Sequence, residues 1–445
     1  MRLAMLGGGG FRTPLVFGAL LTDTHERRVD EVWLHDVDEG RLASIGRVLS
    51  EMSARHPDPP RVHVTTSLDE AVEGSDFVFS AIRVGGLEGR TADERVALDL
   101  GLLGQETTGP GGLSYGLRTV PVALRVAERV AALAPEAWVI NFTNPAGMIT
   151  EAMQAVLGNR VVGICDSPIG LGRRAAAALG LDPRGTTVDY VGLNHLGWLR
   201  GVTSGGRDVL PELLADDGLL GSLEEGSLFG TEWVRTLGMI PNEYLYYYYF
   251  TRDAVRSITG APQTRGEYLL DQQRDFYARL AGARSAHAEW DRVRLERNAT
   301  YMREARGEDE QRGEDDVQGG GYEGVALAIM AAISRGEPAS LILDVRNGST
   351  VAGLPEDAVV EVPCTVDAAG PRPLPVSPLV GHPLGLVQQV KAVERLVIEA
   401  SLTGSERLAV EAFALHPLVD SVTVARELLA GYRARIPEVD AVFRR

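Results

Sequence analysis

The sequence predicts an α/β chain: a doubly wound parallel sheet over residues 1–165, followed by a mixed, helix-rich α/β lobe over residues 166–445. Three observations predict it. An apolar strand, Arg2–Leu6, runs straight into Gly7, Gly8, Gly9 and Gly10, and helical apolar spacing follows over residues 13–21. Short apolar runs then alternate with amphipathic ones as far as residue 165. Strands alternating with helices make a parallel sheet, because each crossover must carry a helix. Finally, 445 residues exceed one ordinary hydrophobic core, so two lobes are expected.

Hydrophobic residues make up 44% and charged residues 24% of the chain, the balance of a soluble globular enzyme. A net charge of −17 argues against a nucleic-acid partner, which needs a basic footprint. It leaves room for a small anionic substrate held by a few arginines or a helix N-terminus. The two cysteines, Cys165 and Cys364, are no disulfide framework and fit a reducing cytoplasm. The apolar start meets glycines without a basic stretch or cleavage site, and no apolar run is long enough to span a bilayer. Neither a signal peptide nor a membrane partner is expected.

Strand, glycine turn and helix in that order are the setting in which glycines mean a dinucleotide. The strict G-x-G-x-x-G spacing fails here, because Arg12 or Thr13 stands at the third glycine position. A tight turn in an α/β domain is the alternative. The second strand, residues 31–34, ends in His35-Asp36, and an acidic residue there suits a ribose hydroxyl. Gly7, Gly8, Gly9, Gly10, Phe11 and Asp36 are therefore the candidate cofactor-binding residues of a Rossmann-type sheet.

Residues 42–55 read as an amphipathic helix, 62–65 as a strand, and Ser67 with Glu70 as a capping box opening a short helix. The strand at 77–82 ends in Arg83, with Arg90 and Arg95 close behind, near where the ligand crevice of such a sheet opens. Residues 104–118 are rich in glycine and threonine and read as a long functional loop leading into a helix at 119–133. The strand at 138–142 ends at Asn144, which precedes a proline and so favours an extended backbone that turns its amide toward the crevice. A helix at 148–157 follows.

Two strand ends then carry metal-competent side chains. Residues 160–164 lead to Cys165-Asp166, and residues 187–193 lead to Asn194-His195, with 198–202 continuing the second strand. A thiolate and an imidazole suit a borderline transition metal, and the adjoining carboxylate and amide suit a substrate or water. Singly, such a cysteine is more often a buried small hydrophobe, and such a histidine a structural one. Beyond them, residues 210–228 read as helix in pieces. A run of five tyrosines follows between Tyr244 and Tyr249, and Thr264 opens a charged helix to about residue 286. Most of the phenols are packing, but one beside a cation is a candidate base. Residues 303–321 read as an acidic mobile loop, 324–334 as a core helix, and 339–345 and 358–366 as strands. Helices at 384–402, 406–416 and 419–432 end the chain.

Taken together, the stretches GQETTGPGG at 104–112, NFTNPAG at 141–147, GICDSPI at 163–169 and GLNHL at 192–196 resemble glycoside hydrolase family 4. The opening glycines with Thr13-Pro14, the tyrosine run, residues 264–267 and Glu394-Arg395-Leu396 are similar to it too, so the resemblance spans essentially the whole chain. It implies a lactate/malate dehydrogenase-like fold, NAD and a divalent metal, Mn²⁺, as cofactors, and a homodimer or homotetramer. The substrate implied is a phosphorylated disaccharide or glucoside, most like that of the 6-phospho-β-glucosidases. The reaction implied is a redox-assisted elimination, an exception to the two-carboxylate route. Hydride leaves C3 for NAD, a tyrosinate takes the acidified C2 proton, the C1 group departs, water adds and the hydride returns.

Carried over by the resemblance, Cys165 and His195 are the metal ligands and Tyr244 the base, with Tyr246 the fallback in the tyrosine run. Asn144 binds sugar hydroxyls, and Arg90 and Arg265 are the candidates for the sugar phosphate. Asp166 stands where β-specific members commonly carry Asn, and an Asp there is familiar from α-specific members as the acid for the leaving group. Gly10 and Phe11 replace common serines, and Arg346-Asn347-Gly348 replaces a common Asn-Asn-Gly. Two other readings stand beside the β-specific one. The first is an enzyme for 6-phospho-α-glucosides or unphosphorylated sugars. The second is an NAD-dependent 2-hydroxyacid-type dehydrogenase, which would release NADH and need no metal.

Overall fold

The structure, a computed structural model, describes residues 1–182, 185–302 and 321–444. Six strands, β1 (Arg2–Leu6), β2 (Glu31–His35), β3 (Arg61–Thr65), β4 (Phe77–Ser80), β5 (Trp138–Asn141) and β6 (Val161–Gly163), pair in parallel in the order β3-β2-β1-β4-β5-β6. That is the doubly wound dinucleotide-binding order, with its switch point between β1 and β4. The helices α1 (Thr13–Thr22), α2 (Glu39–Ser53), α3 (Leu68–Val72), α4 (Gly86–Asp99), α5 (Pro110–Leu133), α6 (Ala146–Leu157) and α7 (Ser167–Ala178) are interspersed among and beyond these strands. Alternation along β1 serves both faces: Leu3 and Met5 enter one hydrophobic core, Ala4 and Leu6 the other.

The sheet does not stop at β6. β7 (Thr186–Leu193), β8 (Leu196–Ser204), β9 (Arg207–Asp208), β10 (Ile240–Pro241), β11 (Ala339–Arg346), β12 (Val359–Asp367) and β13 (Gly370–Pro373) extend it by antiparallel pairing. The path runs β6-β11-β12-β7-β8-β10. The short helices α8 (Leu210–Ala215), α9 (Asp217–Gly221), α10 (Glu224–Phe229) and α11 (Thr231–Leu237) precede β10, and α12 (Tyr246–Tyr249) and α13 (Thr251–Gly260) follow it. Next come α14 (Arg265–Leu280), α15 (Ala286–Ala299) and α16 (Tyr322–Arg335), which share a core with α1 and α2. The closing helices α17 (Gly381–Thr403), α18 (Glu406–Leu415), α19 (Val422–Arg435) and α20 (Pro437–Val442) pack with α5 and α6 on the other face. Among the described residues no helix is long and apolar enough to cross a membrane.

Four local differences from the sequence reading have physical causes. The helix expected at residue 119 begins at Pro110, so most of the glycine-rich stretch is helix rather than loop. Its glycines serve close approach. A Cβ on Gly111 would lie 2.2 Å from the Gln105 carbonyl oxygen, one on Gly112 2.1 Å from that of Thr107, and one on Gly116 2.4 Å from the Met148 sulfur. Second, residues 198–202 do not continue β7. They belong to β8, which turns back on it, with Leu193 opposite Leu196 and the turn made by Asn194 and His195. Third, the charged helix from Thr264 ends at Leu280 and a separate one, α15, follows. Fourth, Ser67 caps α3 through the Glu70 N–H, but the Glu70 carboxylate binds the Thr65 hydroxyl, so the box is not reciprocal. Thr264 and Glu267 form a complete one. The acidic loop expected at 303–321 lies, but for Gly321, outside the described residues.

Gly112→Ala drives a methyl into the Thr107 carbonyl and is expected to cost about 1–3 kcal/mol, the usual range for overpacking. A lower midpoint in thermal or urea unfolding checks it; an unchanged midpoint would show that residues 105–109 give way freely.

Candidate active site

The turn after β1 is built from close contacts that only glycine allows. Gly7 has φ +82°, and its N–H and that of Gly8 both bond the His35 carbonyl at 2.9 and 2.8 Å. A Cβ would lie 2.5 Å from the Ala81 carbonyl oxygen at Gly7 and 2.7 Å from the Leu34 Cβ at Gly8. Asp36, at the end of β2, accepts the Gly9 N–H at 3.0 Å and the Asp38 N–H at 3.2 Å. The turn opens into a cavity of about 480 Å³. Of the expected residues, Gly7, Gly10, Phe11, Arg90, Asn144, Cys165, Asp166, His195, Tyr244 and Arg265 line it; Gly8, Gly9 and Asp36 lie outside its wall.

Cys165 and His195 reach this cavity from separate strands. Cys165 follows β6, and burial, with Glu361 and Asp166 nearby, raises its thiol well above the usual range. His195 sits at the hairpin tip in the left-handed region, φ +63°, and burial holds its ring neutral down to about 4. A neutral imidazole and a buried thiol are the donor set of a borderline divalent metal, which would supply the charge that makes the thiolate. Among the described residues no three His, Cys, Asp or Glu side chains form a complete ligand cluster. Two protein ligands leave coordination positions for substrate or water. The neighbouring amide has other work: Asn194 Oδ1 accepts the Ala146 N–H at 3.2 Å and Nδ2 donates to Glu361 at 3.3 Å. It holds the turn rather than reaching into the cavity.

Tyr244 lies in a 3₁₀ turn, Glu243–Leu245, capped by the Asn242 side chain. Its ring stacks on His195 with centroids 3.7 Å apart and planes 14° apart. Its hydroxyl accepts a bond from Tyr301 at 2.8 Å. Burial, then the charges of Glu243 and Cys165, push its pKa well above the usual phenol value, so the phenolate needs a nearby cation. Tyr246 instead packs on Phe250, ring centroids 5.3 Å apart, and does not line the cavity.

The arginines divide into two sets. Arg90 is bonded to Glu94 and Glu106, each at 2.8 Å, and Glu106 also holds Arg83 at 2.7 Å, which pulls the Glu106 carboxyl far down against its burial. Arg265 donates to the Thr300 hydroxyl and carbonyl and to the Arg297 carbonyl. Arg12 and Arg297 differ. Among the described residues neither guanidinium has a hydrogen bond or ion pair. Arg12 lies 5.2 Å from the Phe142 and Tyr322 ring centroids, and Arg297 5.6 Å from that of Phe11. Burial, then Arg12, Arg265 and Arg90, push Arg297 well below its ordinary value, a sign of surplus positive charge facing the cavity. Nothing in the sequence pattern marks Arg297, and Arg12 stands out in it only where the third glycine is missing.

The profile of family 4 glycosyl hydrolases matches residues 2–181, and that of the family's C-terminal domain matches residues 190–419. The chain belongs to glycosyl hydrolase family 4. It is 32% identical to the 6-phospho-beta-glucosidase of Escherichia coli (strain K12) over 455 residues, 98% of this chain and 96% of that one. The 6-phospho-beta-glucosidase of Thermotoga maritima, solved with manganese, NAD⁺ and glucose-6-phosphate, superposes with a TM-score of 0.81 at 28% identity over 98% of both chains. A 6-phospho-alpha-glucosidase from gut microorganisms, solved with NAD and Mn²⁺, does so with 0.81 at 26% identity over 97% of both. Membership of family 4 makes the chain a glycosidase and sets aside the dehydrogenase reading.

Behind the tyrosine of this family 4 glycosidase stands one further buried acid that sequence reading passed over. Glu243 accepts the Ser167 hydroxyl at 2.7 Å and stands 3.4 Å from the Tyr301 oxygen, whose one proton is donated to Tyr244. Burial, with Glu224 and Glu225 nearby, pushes it up to about 7. A carboxyl with a folded pKa above its unfolded one keeps its proton while the unfolded chain loses it. Stability therefore falls as pH rises from about 4.5 to 7, on the order of 3 kcal/mol over the window. Glu243→Gln cannot ionise, so wild type should lose stability relative to this variant across that window. Parallel urea curves at pH 5 and 7 measure the difference; curves that keep a constant separation would contradict it.

Proposed function

We propose that this family 4 glycosidase hydrolyses 6-phospho-β-glucosides with the help of NAD and a divalent metal, Mn²⁺. The observation that carries the reading is Tyr244 stacked on His195 in the cavity that also holds Cys165, the glycine turn and the guanidinia of Arg12 and Arg297, which are unpaired among the described residues. The ligands named with the Thermotoga maritima enzyme support it. In this reading residues 1–165 carry the coenzyme and residues 166–445 the metal and sugar side, with Cys165 at their junction.

Gly7, Gly10 and Phe11 would hold NAD, which would supply a hydride acceptor, and Cys165 and His195 would hold the divalent ion, which would supply positive charge to the sugar as its C2 proton is lost. Asp36 takes the ribose hydroxyls. Tyr244 removes the C2 proton, and the Tyr301 hydroxyl, donating to the Tyr244 oxygen, favours the phenolate. Asp166, at the head of α7, protonates the departing group. Asn144 orients sugar hydroxyls. Arg12 and Arg297 take the 6-phosphate, while Arg90 and Arg265, already holding protein acceptors, frame that end of the cavity.

A second reading is cleavage of 6-phospho-α-glucosides, because the 6-phospho-alpha-glucosidase superposes on this chain with the same TM-score as the 6-phospho-beta-glucosidase, 0.81, and an Asp where Asp166 stands is what the resemblance to α-specific members implies. Matched chromogenic α- and β-6-phosphoglucosides, with and without NAD⁺ and Mn²⁺, separate the two; unphosphorylated glucosides run alongside. Turnover of the β-phosphoglucoside only, with no net NADH, is expected, and Cys165→Ser should fold but lose metal-dependent turnover. Turnover of the α-anomer selects the second reading, and equal turnover of the plain glucoside removes the phosphate assignment.

A further inference from the structure

The glycine turn is gripped from behind. The Gly9 carbonyl accepts the Tyr277 hydroxyl at 2.8 Å, and the Phe11 carbonyl accepts the Trp290 indole N–H at 2.8 Å. The donors come from α14 and α15, 268 and 279 residues further along the chain. The two carbonyls are turned onto Tyr277 and Trp290, neither of which lines the cavity. The ring of Phe11 seals the contact, edge-on to Phe276 with centroids 5.2 Å apart and tilted against Trp290 at 6.2 Å.

The two helices are themselves fixed to the first part of the chain. Arg47 of α2 donates to the Leu280 carbonyl at the end of α14 at 2.7 Å. Glu51, one turn on, accepts the Ser285 hydroxyl and the N–H groups of Ala286 and His287 at the start of α15. Those donors draw the Glu51 pKa down, as expected of an anion at a helix N-terminus.

A diphosphate is bound by the amide edge of such a turn, and a carbonyl facing the anion would repel it. Four successive glycines have many other conformations available, and ordering them on binding costs affinity. We propose that Tyr277 and Trp290 are positioning residues for the dinucleotide: they hold the carbonyls of Gly9 and Phe11 on the far side, so that the N–H groups of Phe11 and Arg12, which have no acceptor among the described residues while those of Gly7 to Gly10 do, are set before the diphosphate arrives. Coenzyme affinity is then written partly by α14 and α15, the same helices that bring Arg265 and Arg297 to the sugar end of the cavity. The inference rests on the coenzyme reading above.

The test is NAD⁺ affinity, by calorimetry, of the full chain as wild type, Tyr277→Phe and Trp290→Phe, with thermal unfolding of each in the absence of coenzyme. Loss of one hydrogen bond should weaken NAD⁺ binding about three- to tenfold in each variant. Trp290 is buried and off the cavity wall, so its effect cannot come from touching the coenzyme. A merely structural role would lower the unfolding temperature and leave NAD⁺ affinity unchanged, and that result in both variants overturns the proposal. If Trp290→Phe does not fold, Tyr277→Phe decides alone, since its ring still packs on Phe276. A wild-type chain that binds no NAD⁺ overturns the coenzyme reading itself, and the clamp with it.

Discussion

Two hydrogen bonds from one amide decide where the chemistry of this chain is gathered. Cys165 follows β6 and His195 ends β7, and β11 and β12 lie between those strands. Three interstrand steps separate them, about 14 Å at the usual spacing. The hairpin tip must therefore lean back across the sheet for His195 to share a cavity with Cys165. Asn194 holds it there, accepting from the first residue of α6 and donating to Glu361 on β12. His195 tolerates its left-handed backbone because that tip is fixed from both sides. Tyr244 then finds a flat surface on which to stack, and its own turn is pinned to the same hairpin through the Asn242 N–H and the Gly197 carbonyl.

The support for that amide is a buried pair of acids. Asp344 and Glu361 face each other across β11 and β12, and both are almost fully buried. Desolvation raises both, and each raises the other, so the pair keeps a proton at neutral pH. Glu361 also accepts the Tyr190 hydroxyl at 3.0 Å. The opposite problem, buried cations, arises across the cavity, where Glu94 and Glu106 neutralise Arg83 and Arg90, while Arg12 and Arg297 have no ion-pair partner among the described residues. A chain with net charge −17 thus keeps a local positive site, which is what a small anion requires.

Strand identity was legible because β1, β2, β4 and β5 are apolar runs bounded by glycine or polar residues, and the parallel sheet follows from their alternation with helices. The start of α5 was not legible, because glycine reads as loop whether it serves a turn or, as at Gly111 and Gly112, a close backbone approach. The β7–β8 turn was hidden for the converse reason: it contains no glycine, and His195 takes the positive φ that usually advertises one. Helix α15 is highly charged with few apolar positions, so its pattern was faint and Arg297 went with it. Cys165, His195 and Tyr244 were nameable from local motifs, whereas which arginines are already paired depends on residues as distant as Glu106 and Thr300.

The proposed reaction has Tyr244 take a proton from sugar C2, a bond that ordinary glycoside hydrolysis never breaks. The most direct measurement is turnover of a 6-phosphoglucoside in D₂O, followed by NMR or mass analysis of the glucose 6-phosphate released. Deuterium at C2 of the product, absent from a control of glucose 6-phosphate incubated without enzyme, is the predicted result. A product with hydrogen fully retained at C2 would contradict the account and return the cavity to a direct displacement at C1.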